Sequence, residues 1–189
     1  MSFELANASD AVSGGLIAGT QSGESALAMG VFTFECFDKD GKLKWREERH
    51  NMVVNAGIQY MAGTALTSTT QITTWYVGLI GPASGNTYAR TDTLSSHAGW
   101  TEVTPYSGSR PSITFVAATN ANPSVVTNST AVSYSINATQ TVGGAFLCSA
   151  ASGTSGTLFS ESNFQSPGDR SVVSGDTLNV TYTFSLTAA

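Results

Sequence analysis

Alternation of apolar and polar side chains is the commonest pattern along this chain. In residues 176–186 every second side chain is apolar, and the side chains between them are polar. This period of two predicts a β-strand with one buried and one solvated face. The apolar positions are Leu178, Val180, Tyr182, Phe184 and Leu186.

Further runs of β-forming residues predict additional strands, and clusters of Gly, Asn, Pro and Ser separate them. These runs cover residues 31–37, 42–50, 73–81, 100–104, 111–119, 131–137, 141–150 and 156–162. The first two runs flank Asp38-Lys39-Asp40-Gly41, and an Asp-Gly turn between β-forming runs predicts a hairpin. Short strands at this spacing are typical of a two-sheet antiparallel β-sandwich or jelly roll.

Only one segment has helical spacing. After Asn55, which we expect to be the N-cap, the apolar residues Ile58, Met61, Ala62 and Leu66 follow at intervals of three and four. A Thr- and Ser-rich loop ends the segment. The sequence therefore predicts an all-β domain with one short helix of about three turns, packed against a sheet by its apolar side.

The N-terminal segment follows neither pattern. Residues 1–30 are rich in Gly, Ser and Ala, and apolar side chains are scattered among them without a period. We expect an extended N-terminal arm at 1–30, followed by a β-sandwich domain at 31–189. Because the arm is too apolar for a free solvated tail, Phe3, Leu5, Leu16 and Ile17 are expected to be covered by a partner or by the domain.

Charge is scarce but concentrated. Charged residues make up 11% of the chain, where about 25% is usual, and close to half of them lie in residues 37–63. We interpret this as the exposed face of the hairpin, with Arg46 and Arg49 contacting a subunit or a lattice. Reversing both charges is expected to leave the fold intact and to weaken assembly.

The totals also exclude several classes of protein. With a net charge of −5 and only eight Lys and Arg residues, the chain lacks the basic patch that nucleic-acid binding requires. No apolar run is long enough to span a membrane. Cys36 and Cys148 follow no metal-ligand or disulfide spacing, so we interpret both as small buried strand residues.

No catalytic motif is present. G-x-S-x-G, G-x-G-x-x-G, the P-loop and H-E-x-x-H are missing. His97 lies near Asp92 in the loop 81–99, but this loop consists largely of such residue types. A carboxylate pair drawn from residues such as Asp92, Glu102 and Glu161 is compatible with glycoside hydrolysis, although proximity in sequence does not establish it. We therefore expect no enzyme, no cofactor and no metal site.

Four segments of the chain resemble parts of a known class of protein. They are HNMVVNAGIQYMAG (50–63), WYVGLIG, TDTLSSHAGWTE and VVSGDTLNVTYTFSL (172–186). In this order, across residues 31–186, they resemble structural proteins of tailed-bacteriophage virions, and the arm and sandwich resemble head decoration or cement proteins. The resemblance implies a homotrimer on the outer surface of the capsid, bound to the major capsid protein and stabilising contacts between capsomers.

The same sequence features are also compatible with a second function. A tail, fibre or baseplate component would use a similar Ser-, Thr- and Gly-rich β architecture. In that case the aromatic residues Tyr88, Trp100 and Tyr106 are expected to bind a glycan or another receptor on the host surface.

Overall fold

The computed structural model describes residues 25–82, 87–164 and 168–188. Within them the chain forms one helix and thirteen strands. In chain order these are β1 Ala26–Phe37, β2 Leu43–His50, β3 Met52–Val53, α1 Asn55–Leu66, β4 Trp75–Ile80, β5 Glu102–Val103, β6 Ser112–Ile113, β7 Ser124–Thr127, β8 Val132–Ser135, β9 Gln140–Val142, β10 Gly144–Cys148, β11 Leu158–Asn163, β12 Arg170–Val172 and β13 Thr177–Ala188. All strand pairs are antiparallel.

The first sheet is built around two long strands. β1 and β13 pair along their whole length, from Ala26 opposite Ala188 to Phe37 opposite Thr177. β2 adds to the free edge of β1, and the short strands β7 and β8 share the free edge of β13. The predicted turn joins β1 to β2, with Gly41 at φ +79°, where a residue with a side chain would be strained. The hairpin prediction is therefore confirmed.

The second sheet has the order β3-β11-β10-β4-β5, with β6 also paired to β4. Its inner face meets the inner face of the first sheet, so that Phe34 and Val180 pack in one core with Val77, Leu147 and Phe159. β1 and β13 each contribute alternate side chains to this core, and the side chains between them point to the outer face of the sheet. The predicted all-β sandwich with one short helix is confirmed.

The outer face of the second sheet is covered as well. Leu94 and Trp100, from the loop before β5, pack on Ile80, Phe146 and Leu158 in a second apolar cluster. Both faces of this sheet are therefore buried, which explains why β4 and β10 are apolar on both sides. Part of the long loop predicted at 81–99 thus serves as a covering layer.

Several predicted boundaries were wrong. β1 begins at Ala26 instead of 31, and Gly143 separates β9 from β10 where one strand was expected. The predicted run 100–104 contributes only β5, and 111–119 contributes only β6. The sequence analysis missed β3, β7 and β12, since two to four residues are too few for alternation to be detectable. Both cysteines are buried strand residues, as predicted.

The helix begins one residue earlier than expected. Val54 is the N-cap and makes no side-chain capping bond, so Asn55 is the first helical residue and the predicted cap was wrong. Gly57 is the buried residue of α1. A Cβ atom at this position would lie 2.3 Å from the backbone oxygen of Phe159. Because Gly57 has no side chain, the helix can lie directly against the backbone of β11.

Replacing Gly57 by alanine is expected to lower the free energy of unfolding by about 2 kcal/mol, because the added methyl group overlaps backbone that cannot rotate away. The intrinsic helix preference of alanine, about 1 kcal/mol, acts in the opposite direction. Gly63→Ala is the matched control, since its Cβ would meet only the side chain of Thr69. Urea unfolding of both variants measures the difference, and equal stabilities would contradict the tight contact.

Candidate assembly surface

An open apolar groove runs between α1 and the ends of β1 and β13. It has a volume of about 740 Å³. Exposed fractions of 54% for Leu27, 44% for Ile58 and 41% for Leu186 are high for side chains of this size. The residues that line this groove, called the N-terminal groove below, are Ala26, Leu27, Ala28, Asn51, Met52, Val53, Ile58, Met61, Ala62, Ala65, Arg90 and Leu186.

The groove exists because the β1/β13 ribbon is longer than the core beneath it. Along β13 the exposed fraction rises from 0% at Leu178 to 41% at Leu186. On the inner face of β1 the same change occurs between Phe34, which is buried, and Ala28, which is half-buried. The end of the ribbon therefore carries apolar side chains without cover from the described part of the chain.

The helix contributes the opposite wall. Ile58, Met61 and Ala62, which were expected to pack on a sheet, line the N-terminal groove, and Leu66 is 86% exposed. Met61 also packs against the core of the sandwich, so the prediction that the helix lies against a sheet is confirmed, whereas Ile58 and Ala62 face the groove. An apolar patch of this kind on a protein surface is typical of an interaction site.

The N-terminal segment leads directly into this groove. Ala26 and Leu27 line it, so residues 1–24 join the domain at its mouth. The predicted contact residues Phe3, Leu5, Leu16 and Ile17 lie outside the described residues. A segment of 24 residues spans up to about 80 Å when extended, which is enough to fill the groove or to reach another subunit.

The hairpin charges are arranged differently from the prediction. Arg46 lies on the outer face of β2, with 57% of its side chain exposed and Nη1 3.6 Å from Oε1 of Glu35. Glu48 lies beside it on the same face. This pair is open to solvent and contributes little to stability. Arg46 is therefore exposed on the surface, and its contact with a partner stays a prediction.

Arg49, in contrast, points to the inner face of β2 together with Glu47. Glu47 is buried and binds two arginines, with Nη2 of Arg49 at 2.6 Å from Oε2 and with Arg170 at Oε1. The prediction that all of these charges lie on a solvated face was wrong. Reversing Arg49 would place two carboxylates together in this cluster and destabilise the fold, so a reversal test of the hairpin has to be confined to Arg46.

The three aromatic residues of the second interpretation do not form a common surface. Trp100 is 3% exposed, stacks on His97 at 3.8 Å and donates its Nε1 hydrogen to Oε2 of Glu161 over 2.8 Å. Tyr106 is 8% exposed and packs on Tyr134. Tyr88 is half-buried against the second apolar cluster. Trp100 and Tyr106 therefore serve the core, and the prediction that they form an exposed binding surface was wrong.

Beneath Trp100 the fold brings two of the candidate carboxyl groups together. Glu161 is 1% exposed, and Asp92 is 8% exposed. Burial, with the nearby charge of Asp92 as a second cause, raises the pKa of Glu161 to about 8. Asp92 also accepts a hydrogen bond from the Ala89 amide at 3.3 Å. The hydrogen bond from Trp100 to Glu161 links the covering loop to β11.

Comparisons of the chain with models of protein families, with curated proteins and with solved structures find no match. The resemblance of residues 31–186 to virion proteins therefore stays a prediction. Among residues 25–82, 87–164 and 168–188, no helix has the length and apolar character of a membrane span. In the same ranges no three His, Cys, Asp or Glu side chains are grouped as ligands for a metal ion.

Proposed function

We propose that the protein is a bacteriophage head decoration protein, which binds the outside of the assembled capsid and stabilises contacts between capsomers. The N-terminal groove is the observation that supports this proposal most strongly, because it is an apolar surface that none of the described residues covers, next to a 24-residue segment that is itself partly apolar. The resemblance of residues 50–63 and 172–186 to virion proteins is the reason for proposing a phage capsid as the assembly.

In this proposal the major capsid protein and two further copies of the chain are the partners. Binding only to the assembled shell stabilises that shell by mass action, by about 4 kcal/mol per site when the free protein is at a thousandfold excess over Kd. A homotrimer strengthens the effect, since the second and third contacts form at a high effective concentration. No chemical step is required.

The groove and the hairpin have separate roles in such an assembly. Burial of Leu27, Ile58 and Leu186 provides affinity through the hydrophobic effect. Arg46 and Glu48, on the exposed edge strand β2, provide orientation and choice of partner. The same edge has free backbone groups, and charged side chains on it discourage pairing with unrelated strands.

A tail, fibre or baseplate component is the alternative. Of the aromatic residues assigned to it, Trp100 and Tyr106 are buried, so a glycan site on this chain would have to use other side chains. Location and copy number distinguish the two functions: a decoration protein covers the shell, whereas a tail component occupies a few positions.

Replacing Ile58 by serine is expected to weaken co-sedimentation with expanded phage shells that lack the protein by tenfold or more, because the change removes an apolar contact from the groove. Deleting residues 2–24 is expected to have at least the same effect. Leu66→Ser is the matched control, since Leu66 is an exposed apolar residue of the same helix outside the groove.

Native mass spectrometry of the free chain accompanies this experiment and tests the homotrimer. Saturable binding that Leu66→Ser leaves unchanged and Ile58→Ser weakens would support the decoration function. Equal binding of Ile58→Ser and Leu66→Ser would show that the groove is not the surface that binds the shell. A chain that does not bind shells at all would overturn the proposal and favour the tail.

A further inference from the structure

A second cavity, distinct from the N-terminal groove, opens between α1 and the end of the sandwich. It has a volume of about 470 Å³, which lies within the range of small-molecule sites in proteins. Aromatic rings from five separate segments form most of its wall. They belong to Tyr60, Trp75, Phe115, Phe159, Tyr182 and Phe184.

Four of these rings form a continuous series of edge-to-face contacts. The ring centroids are 5.3 Å apart for Tyr60 and Trp75, 5.4 Å for Trp75 and Phe159, and 5.5 Å for Phe159 and Phe184. Such contacts restrict each ring through its neighbours. Phe159 is buried, whereas Trp75 and Phe184 are half-buried and present ring surface to the cavity. The apolar wall is therefore preformed.

The polar groups of the cavity are few, and most of them belong to α1 and the loop that follows it. The Tyr60 hydroxyl accepts a hydrogen bond from the Ile72 amide at 2.8 Å, and its own hydrogen has no acceptor among the described residues. Thr64, Thr69 and Gln71 are the other polar residues from these two segments. None of the residues that line the cavity is charged. This chemistry disfavours ions and selects neutral molecules.

We propose that this cavity binds a neutral small molecule that has a planar ring system and one hydrogen-bond acceptor. The ring system packs on Trp75 and Phe184, and the acceptor receives the hydrogen of the Tyr60 hydroxyl. This inference does not depend on the proposed function in the virion, because the cavity and the N-terminal groove share only Ala65.

The strand β7 offers a matched pair of variants. Val126 lines the cavity, whereas Val125 points to the opposite face of the same strand. The change Val126→Trp adds a ring system inside the cavity, and Val125→Trp adds the same group outside it. Ala65→Trp is a second blocking variant, and because Ala65 is exposed on α1 the change is compatible with folding.

The probe is 6-propionyl-2-(dimethylamino)naphthalene, a neutral planar ketone whose fluorescence shifts to the blue in apolar surroundings. The full-length chain is expected to bind one equivalent, with a saturable blue shift. Val126→Trp and Ala65→Trp are expected to weaken binding at least tenfold, Tyr60→Phe about threefold to tenfold, and Val125→Trp less than twofold. Thermal melting checks that each variant is folded.

Two results would overturn the proposal. One is probe binding that does not saturate or that Val126→Trp and Ala65→Trp leave unchanged, because the probe would then bind elsewhere. The other is equally tight binding of the anionic probe 1-anilinonaphthalene-8-sulfonate, because an uncharged site should discriminate against it.

Discussion

Replacing Arg110 by methionine is expected to lower the free energy of unfolding by about 3 kcal/mol, since it removes one partner of a buried ion pair. The guanidinium donates Nε and Nη2 hydrogens to the two oxygens of Glu102, each over 2.7 Å. It also donates to the carbonyl oxygens of Ala150 and Gly153, each over 2.9 Å. Methionine retains the packing over Phe146 but leaves these acceptors without a donor.

Arg46→Met is the matched control for this prediction. Arg46 also pairs with a glutamate, through one contact of 3.6 Å to Glu35, but its side chain is 57% exposed, against 5% for Arg110. An exposed pair of this kind contributes no more than about 1 kcal/mol. Urea unfolding at neutral pH measures both variants. A loss of less than 1 kcal/mol for Arg110→Met would show that water replaces the guanidinium. The ion pair would then not hold Glu102 to the segment that contains Ala150 and Gly153.

The sequence predicted best where one physical constraint decides the structure. The alternation in 176–186 places Leu178, Val180 and Tyr182 in the core because a strand in a sandwich has one buried face. The Asp-Gly turn fixed the β1/β2 hairpin for a similar local reason. These two signals were sufficient for the fold class. They contain no information on strand order, which depends on contacts between distant segments.

The candidate sites were harder to predict because their environment is set by other elements. Ile58 follows the spacing of a packed helix, yet it is exposed and lines an open groove. A period of two from Trp45 places Glu47 and Arg49 on the inner face. Nothing in residues 42–50 shows that Arg170, more than a hundred residues away, completes their ion-pair cluster there.

Aromatic residues illustrate the same limit. Trp100 was expected to bind a receptor in the second interpretation, but the segment before β5 folds back over β10 and β11 and buries it. The aromatic cavity was not predicted, since its rings come from segments as distant as Tyr60 and Phe184. Only their three-dimensional arrangement distinguishes a cavity wall from ordinary core.

In the unaltered protein, the free energy of unfolding is expected to fall as the pH rises from about 4.5 to about 8. Replacing Glu161 by glutamine is expected to abolish this fall. The ordinary pKa of 4.5 applies to the unfolded chain, and the native pKa is about 8. Between these values the native protein holds one proton more than the unfolded chain. The free energy of unfolding therefore falls with rising pH, by at most about 1.4 kcal/mol per pH unit, and becomes constant above the native pKa.

Glutamine reproduces the contacts of the protonated acid without titrating. Its oxygen accepts the Trp100 hydrogen, as Oε2 of Glu161 does, and its amide donates to Asp92. The variant is therefore expected to match the unaltered protein near pH 5 and to exceed its stability by about 2 kcal/mol or more at pH 8.

Glu48→Gln, the same change on the exposed face of β2, is the control and is expected to retain the fall with pH. Urea unfolding between pH 4.5 and 9 measures all three proteins. Parallel curves for Glu161→Gln and the unaltered protein would show that Glu161 does not hold its proton in the folded state.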